Sequence, residues 1–309
     1  MYQALSVIVV QEHVDQEDNE GFNIRSGPFS CSTPFSILGV VMDIFKRKAV
    51  TFNYKDDEHI IGITGRNGGV SDYPELSLNM ARYIEDVPEN VSRNQQRVAQ
   101  EINFDTSKWV FPIQKHGTHI KQVSLEDRGI NITELTTALD DVDGLYTYDR
   151  EVLLTMCFAD CVPIYIYSTT DNFIALGHAG WRGTVGMITE KLINAYKGDK
   201  THLHCVIGPS ISGKAYVVND DVRAKFMSLN LQLEDCFKPN GDMYEIELKE
   251  INRRIAQHAG IAASHIHVSQ RCTSTGNEDF FSYRKEAGNT GRMLAYIGKR
   301  DNNGSQKES

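Results

Sequence analysis

The spacing of apolar residues along this chain changes period several times, and each change predicts an element. Residues 152–158 (Val-Leu-Leu-Thr-Met-Cys-Phe) are almost continuously apolar, the pattern of a strand buried on both faces. Residues 162–167 and 173–177 follow at short spacing and read as two more strands. After Gly183, the residues Val185, Ile188, Leu192 and Tyr196 recur at helical spacing and predict one helix with those side chains inward. Residues 90–102 read as a helix with Val91, Val98 and Ile102 on its apolar side. Residues 245–259 read as another, with Leu248, Ile251 and Ile255 inside and Gly260 as its stop. Short strand-like runs occupy 60–64, 204–207, 266–269 and 293–297, and residues 65–69 read as a Gly-rich loop.

The ends of the chain are less patterned. Strand-like runs at 6–10, 37–41 and 49–54 are interrupted by an acidic stretch at 11–20 and a Gly27-Pro28 turn. Residues 299–309 are polar and are expected to form a disordered tail. Several strands come in succession and the helices between them are irregularly placed. The expected fold class is therefore α+β: mixed sheets with layered helices in one compact domain. Residues 1–60 would add strands packed on a main enzyme domain at 61–298.

Composition narrows the function. A chain of 309 residues with 40% hydrophobic and 24% charged residues can bury a full core. Its net charge of −9 argues against a general nucleic-acid partner. No apolar run approaches the roughly 18 residues of a membrane span, so no membrane partner is expected. The N-terminus lacks a basic region and a cleavage site, so a secretory signal is not expected. Cys31, Cys157, Cys161, Cys205, Cys236 and Cys272 show no disulfide-framework spacing. Reduced thiols and a cytoplasmic location are expected. The sequence carries no signal for an oligomeric state.

Three strings carry the chemistry: Gln114-Lys115-His116-Gly117, Ala159-Asp160-Cys161-Val162-Pro163 and His178-Ala179-Gly180-Trp181-Arg182-Gly183. One thiol and two imidazoles beside restricted or open backbone make the donor set of a catalytic metal site that keeps a position for reactant. Pro163 forces Val162 into extended backbone and suits a thiol at a sheet edge. Asp160 beside Cys161 argues against a plain core cysteine. His119 competes with His116, which is preferred because Gly117 opens the backbone there. The pairs His202/His204 and His265/His267 have the His-X-His form of copper sites. Alternating strand residues share a face, so each pair is expected on one exposed strand face. Arg66, Arg182, Arg284 and Arg292 are candidate anion-binding residues.

These strings resemble the laccase-domain, or polyphenol-oxidoreductase-like, family, which is regarded as one of purine nucleoside phosphorylases. Matching stretches include Gly68-Gly69-Val70-Ser71, Leu76-Ser77-Leu78-Asn79, Asp143-Gly144, Ile207-Gly208-Pro209-Ser210-Ile211, Cys272-Thr273, Phe281-Ser282-Tyr283-Arg284 and Thr290-Gly291-Arg292. The resemblance implies a zinc ion held by His116, Cys161 and His178. It also implies phosphorolysis of adenosine, inosine and methylthioadenosine, with adenosine deamination as a side activity. In that setting Asp160 is expected to shuttle a proton, with Arg182 as a second catalytic residue. Arg66, Arg182 and Arg284 are expected to hold phosphate, and Asn79 to contact base or ribose.

Three rival readings stand beside this one. One Cys and two His also suit copper, and a redox copper site would want a weak methionine ligand, of which Met156 is the nearest in sequence. Cys161 with His178 as its base would make a cysteine hydrolase. A closed metal site without turnover would make a binding module.

Overall fold

Long apolar strands dictate two sheets that stack face to face, because a strand apolar on both sides must be covered twice. The computed structural model describes residues 43–72 and 77–301. The strand-like runs at 6–10 and 37–41, and the tail beyond 301, lie outside the described residues. In chain order come β1 (Phe45–Arg47), β2 (Thr51–Tyr54), β3 (His59–Thr64), β4 (Asn67–Ser71), α1 (Pro88–Ile102), β5 (Trp109–Val110), β6 (Ile120–Gln122) and β7 (Gly144–Thr147). Then follow β8 (Leu153–Phe158), β9 (Val162–Ser168), β10 (Ile174–Ala179), α2 (Trp181–Val185), α3 (Ile188–Ala195), β11 (Leu203–Ile207) and β12 (Val217–Val218). The last are α4 (Asp220–Met227), β13 (Phe237–Asn240), β14 (Met243–Ile246), α5 (Leu248–His258), β15 (Ile266–Val268) and β16 (Met293–Lys299).

The first sheet has the order β1-β2-β3-β16-β8-β5 and the second β15-β11-β9-β10-β7-β6. Both are mixed: β5–β8, β6–β7 and β11–β15 are parallel, and the other pairs antiparallel. A smaller sheet, β12-β14-β13, packs through Val218, Phe237 and Ile246 into the core that α3 and α5 share. The strands of the first sheet alternate between two cores. On β8, Leu154, Met156 and Phe158 face inward between the sheets, against Leu145, Tyr165, Ile174, Leu176 and Val206 of the second. Leu153 and Cys157 face the other way, toward Val98, Ala99 and Ile102 of α1. The outer face of the second sheet packs on Leu192 and Ile193 of α3 and on Ile251 and Ile255 of α5. The layers therefore run helix, sheet, sheet, helices. Each fully buried Leu or Ile adds about 1.5–3 kcal/mol over its exposed state. This is the expected α+β class.

Four local expectations change. The single helix after Gly183 is two helices, and the first already starts at Trp181. The break comes at Met187, whose φ of 60° is left-handed and turns the chain before α3. The helix expected from 245 begins at Leu248, because residues 243–246 instead pair with β12 and β13. The expected loop at 65–69 runs into β4, where Asn67 and Ser71 bridge to Ser77. Gly69 is required there, since a side chain would collide with the Ser77 carbonyl. Lys299 belongs to β16 rather than to the tail, buried with its ammonium 2.7 Å from Glu58.

Candidate metal centre

The centre forms where the chain leaves the first sheet for the second. Residues 159–161 connect β8 to β9, and β9 pairs with β10 so that His178 faces Pro163 and Ala179 faces Val162. One step further in that register, Gly180 lies against Cys161. A side chain on Gly180 would stand 2.9 Å from the Cys161 Sγ and 3.4 Å from the His116 ring. Glycine therefore spares the sulfur a forced shift, while the His116 ring would be met only at van der Waals distance.

His116 arrives from the loop after β5. Gln114 fastens that loop to β8: its Nε2 donates to the Cys157 carbonyl at 2.8 Å, and its Oε1 accepts the Cys157 N–H at 2.9 Å. His116 has a left-handed φ of 61°. The conformation is held by Asp143, whose carboxylate accepts the N–H groups of Lys115 (3.2 Å), His116 (3.0 Å) and Gly117 (2.8 Å). The same carboxylate accepts Nδ1 of His178 at 2.8 Å. That bond leaves Nε2 as the donor nitrogen of His178, the usual arrangement of a carboxylate behind a metal-binding histidine.

The donor atoms of His116, Cys161 and His178 lie within 4.8 Å of one another. Among the described residues they are the one group of this kind. Burial alone would raise the Cys161 thiol, but the adjoining His178 charge and hydrogen bonds from both imidazoles outweigh it and favour thiolate. Burial likewise opposes charge on His178, while Cys161 and Asp143 raise it above an ordinary histidine. Asp143, although buried, is lowered by His178 and by the loop N–H groups. A thiol biased toward thiolate, an imidazole oriented by Asp143 and a second imidazole beside them fit a zinc or copper ion with an open position. His119 is elsewhere, exposed with Nδ1 at 3.2 Å from the Asp141 carbonyl.

The three donors open into a cavity of about 570 Å³. Asp160, Arg182 and Arg284 line it, and so do Arg292, Trp181, Tyr83, Tyr216 and Tyr283. The Arg182 guanidinium lies 4.5 Å over Trp181, Arg284 4.9 Å over Tyr216 and Arg292 5.6 Å over Tyr283. Cations beside aromatic faces suit an anionic group joined to a flat ring.

Arg66 and Asn79 are not in the cavity wall. Arg66 pairs with Glu286 at 2.8 Å, donates to the carbonyls of Asn277 and Phe280, and covers the Phe281 ring. Asn79 is fully buried, bonded to Ala81, Asp86 and the Arg292 N–H. Both brace the loops that carry Tyr283 and Arg292. The His-X-His pairs also depart from expectation. His202 and His265 sit in 3-10 turns, and the His204 ring stacks on His265 (4.2 Å), Tyr167 (5.2 Å) and His267 (5.8 Å) instead of lying on an open strand face. Parallel rings aim their nitrogens along parallel planes, so they do not converge on an ion. Met156 packs in the core between the sheets and does not line the cavity. Asp143 was legible only as part of a family-like stretch; its signal is a carboxylate before glycine at a strand start.

A family model described as multi-copper polyphenol oxidoreductase laccase matches residues 60–300. The chain belongs to this family. A protein of Staphylococcus saprophyticus named purine nucleoside phosphorylase is 44% identical over 263 residues, covering 84% of this chain and 100% of that relative. A Staphylococcus aureus protein named purine nucleoside phosphorylase YlmD is 47% identical over 240 residues, covering 77% of this chain and 91% of its own. The crystal structure of YlmD from Geobacillus stearothermophilus superposes with a TM-score of 0.81 at 37% identity, covering 84% of this chain and all of that one. A Bacillus licheniformis hypothetical protein, YfiH, gives 0.80 at 36% identity, covering 83% and 99%. Relatives at this similarity bear the name of a nucleoside phosphorylase.

Proposed function

We propose that this protein is a zinc-dependent purine nucleoside phosphorylase. It would cleave adenosine, inosine or methylthioadenosine with phosphate to the free base and ribose 1-phosphate, or its methylthio analogue. One observation carries the reading: a thiolate-imidazole donor set opens into the same cavity as three arginines and an array of aromatic rings. The naming of close relatives supports it.

A zinc ion bound there would supply Lewis-acid polarisation of a substrate oxygen. The chain's own residues supply the rest. Arg182 and Arg284 would hold phosphate and keep its attacking oxygen in line with C1′. Trp181, Tyr216 and Tyr283, each with an arginine over one face, would pack a purine by the other. As the new C1′–O bond forms and the C1′–N9 bond breaks, the bonding pair leaves with the purine, which then takes up a proton. Adenosine deamination, with water replacing the amine at C6, is the proposed side activity.

The decisive experiment incubates purified protein with adenosine, with and without phosphate, under anaerobic conditions. Adenine released only with phosphate is the expected result. Inosine in both tubes reports the deaminase. No turnover of any purine nucleoside would overturn the proposal. Consumption of phenols with oxygen instead would support a copper oxidoreductase.

A second reading follows from one feature. Cys161, His178 and Asp143 also form a nucleophile, base and orienting carboxylate. A cysteine hydrolase would keep its turnover after complete removal of metal and lose it on alkylation.

A further inference from the structure

Asp160 directly precedes the sulfur donor, in the connection between the two sheets. Its φ of 92° is rare for a residue with a side chain and persists only where surrounding bonds over-determine it. Those bonds are present. The main-chain carbonyl accepts the Ile211 N–H at 2.9 Å. Oδ1 accepts the Thr273 hydroxyl at 2.6 Å, and Oδ2 accepts the Arg284 N–H at 2.7 Å. Three segments distant in sequence thus meet at one residue, and both Ile211 and Arg284 line the cavity.

We propose that Asp160 is a positioning residue that clamps the Arg284 loop onto the metal-donor turn and so sets the anion-binding side of the cavity. Both carboxylate oxygens are engaged by donors belonging to the protein, and the residue is only 8% exposed. A proton carrier needs an oxygen directed at the reacting atom; this carboxylate directs Oδ1 at Thr273 and Oδ2 at the Arg284 N–H. Charge-assisted bonds of this kind fix backbone position firmly. Fixing the Arg284 main chain places its guanidinium over Tyr216, 4.9 Å from the ring centre. The identity of the anion as phosphate rests on the phosphorylase reading; the clamp does not.

Asp160→Asn and Thr273→Val test the proposal in zinc-loaded protein. Thr273→Val removes one hydroxyl donor from a fully buried site and leaves the carboxylate in place. Expected for Asp160→Asn is a rise of about tenfold or more in the KM for phosphate, with kcat within about threefold and the nucleoside KM unchanged. Thr273→Val should move the phosphate KM the same way by less, and it carries the test if Asp160→Asn does not fold. Amide hydrogen exchange in the peptide containing Arg284 should quicken in both variants. A collapse of kcat at unchanged phosphate KM would return Asp160 to proton transfer and overturn the proposal. Wild-type exchange at Arg284 would do so as well. If the wild-type protein releases no base with phosphate, the functional reading fails, and exchange at Arg284 still decides the clamp.

Discussion

Asp143 ties the two imidazole donors to each other: one oxygen lies 2.8 Å from Nδ1 of His178 and 3.0 Å from the backbone nitrogen of His116. One buried carboxylate therefore sets a ring orientation on β10 and a left-handed backbone in the loop after β5. Asp143→Ala should weaken zinc binding by roughly 10–100-fold, the usual effect of losing a carboxylate behind a ligating histidine. Competition with a zinc-binding dye measures it. Unchanged affinity would show that the donors hold their places without Asp143.

Gly180 makes a second prediction. A methyl group there would press on the Cys161 sulfur. Gly180→Ala should leave the fold intact by circular dichroism and lower zinc occupancy after dialysis by at least about tenfold in affinity, because ligand atoms displaced by tenths of an ångström no longer share one ion. Full occupancy would contradict the tight approach of these elements.

Two cysteines in the cavity wall should differ sharply in reactivity. Burial pushes the Cys157 thiol up to about 12, whereas Cys161 is held toward thiolate by His178 and His116. In metal-free protein at pH 7, iodoacetamide should label Cys161 first, and added zinc should protect it. Peptide mapping reads both sites. Preferential labelling of Cys157 would refute the assignment.

The histidine stack makes stability depend on pH. Burial first, then the charges of His265 and His267, lower His204; burial and His265 lower His267. Asp56 opposes these shifts at His204, and His59 adds to them. Tyr167 and Tyr54 complete the surrounding rings. A histidine held neutral in the folded state takes up its proton more readily when unfolded. The contribution is therefore complete above the unfolded value near ~6.5 and is lost as pH falls through it toward the folded values. The urea midpoint should drop between pH 7.5 and pH 5.5, and His204→Phe should flatten that dependence. An equal slope in the variant would exclude the stack as its source.

The legible part of the fold was the part written locally. The unbroken apolar run at 152–158 foretold a strand covered on both faces, and β8 is that strand, with Met156 on one core and Cys157 on the other. The period through Ile188 and Leu192 marked the face of α3, while the turn at Met187 was invisible, because nothing in the spacing records where a helix must bend to reach a sheet. Residues 245 and 246 were read as the start of a helix and became part of β14 because partners on β12 and β13 satisfied their backbone.

The site divides the same way. Residue type and neighbouring glycine or proline were enough to single out His116, Cys161 and His178, since donor chemistry and backbone restriction are properties of a few adjacent residues. Whether a polar group is free to act depends instead on which distant segments meet it. Arg66 and Asn79 were drawn into loop bracing, the Asp160 carboxylate into bonds with Thr273 and Arg284, and Asp143 into the support of two histidines, each because buried hydrogen-bonding groups must find partners wherever the packed chain supplies them. The sequence alone singled out the candidate donors and determined the buried strands; only the tertiary structure decided which side chains face the cavity and which partners they meet there.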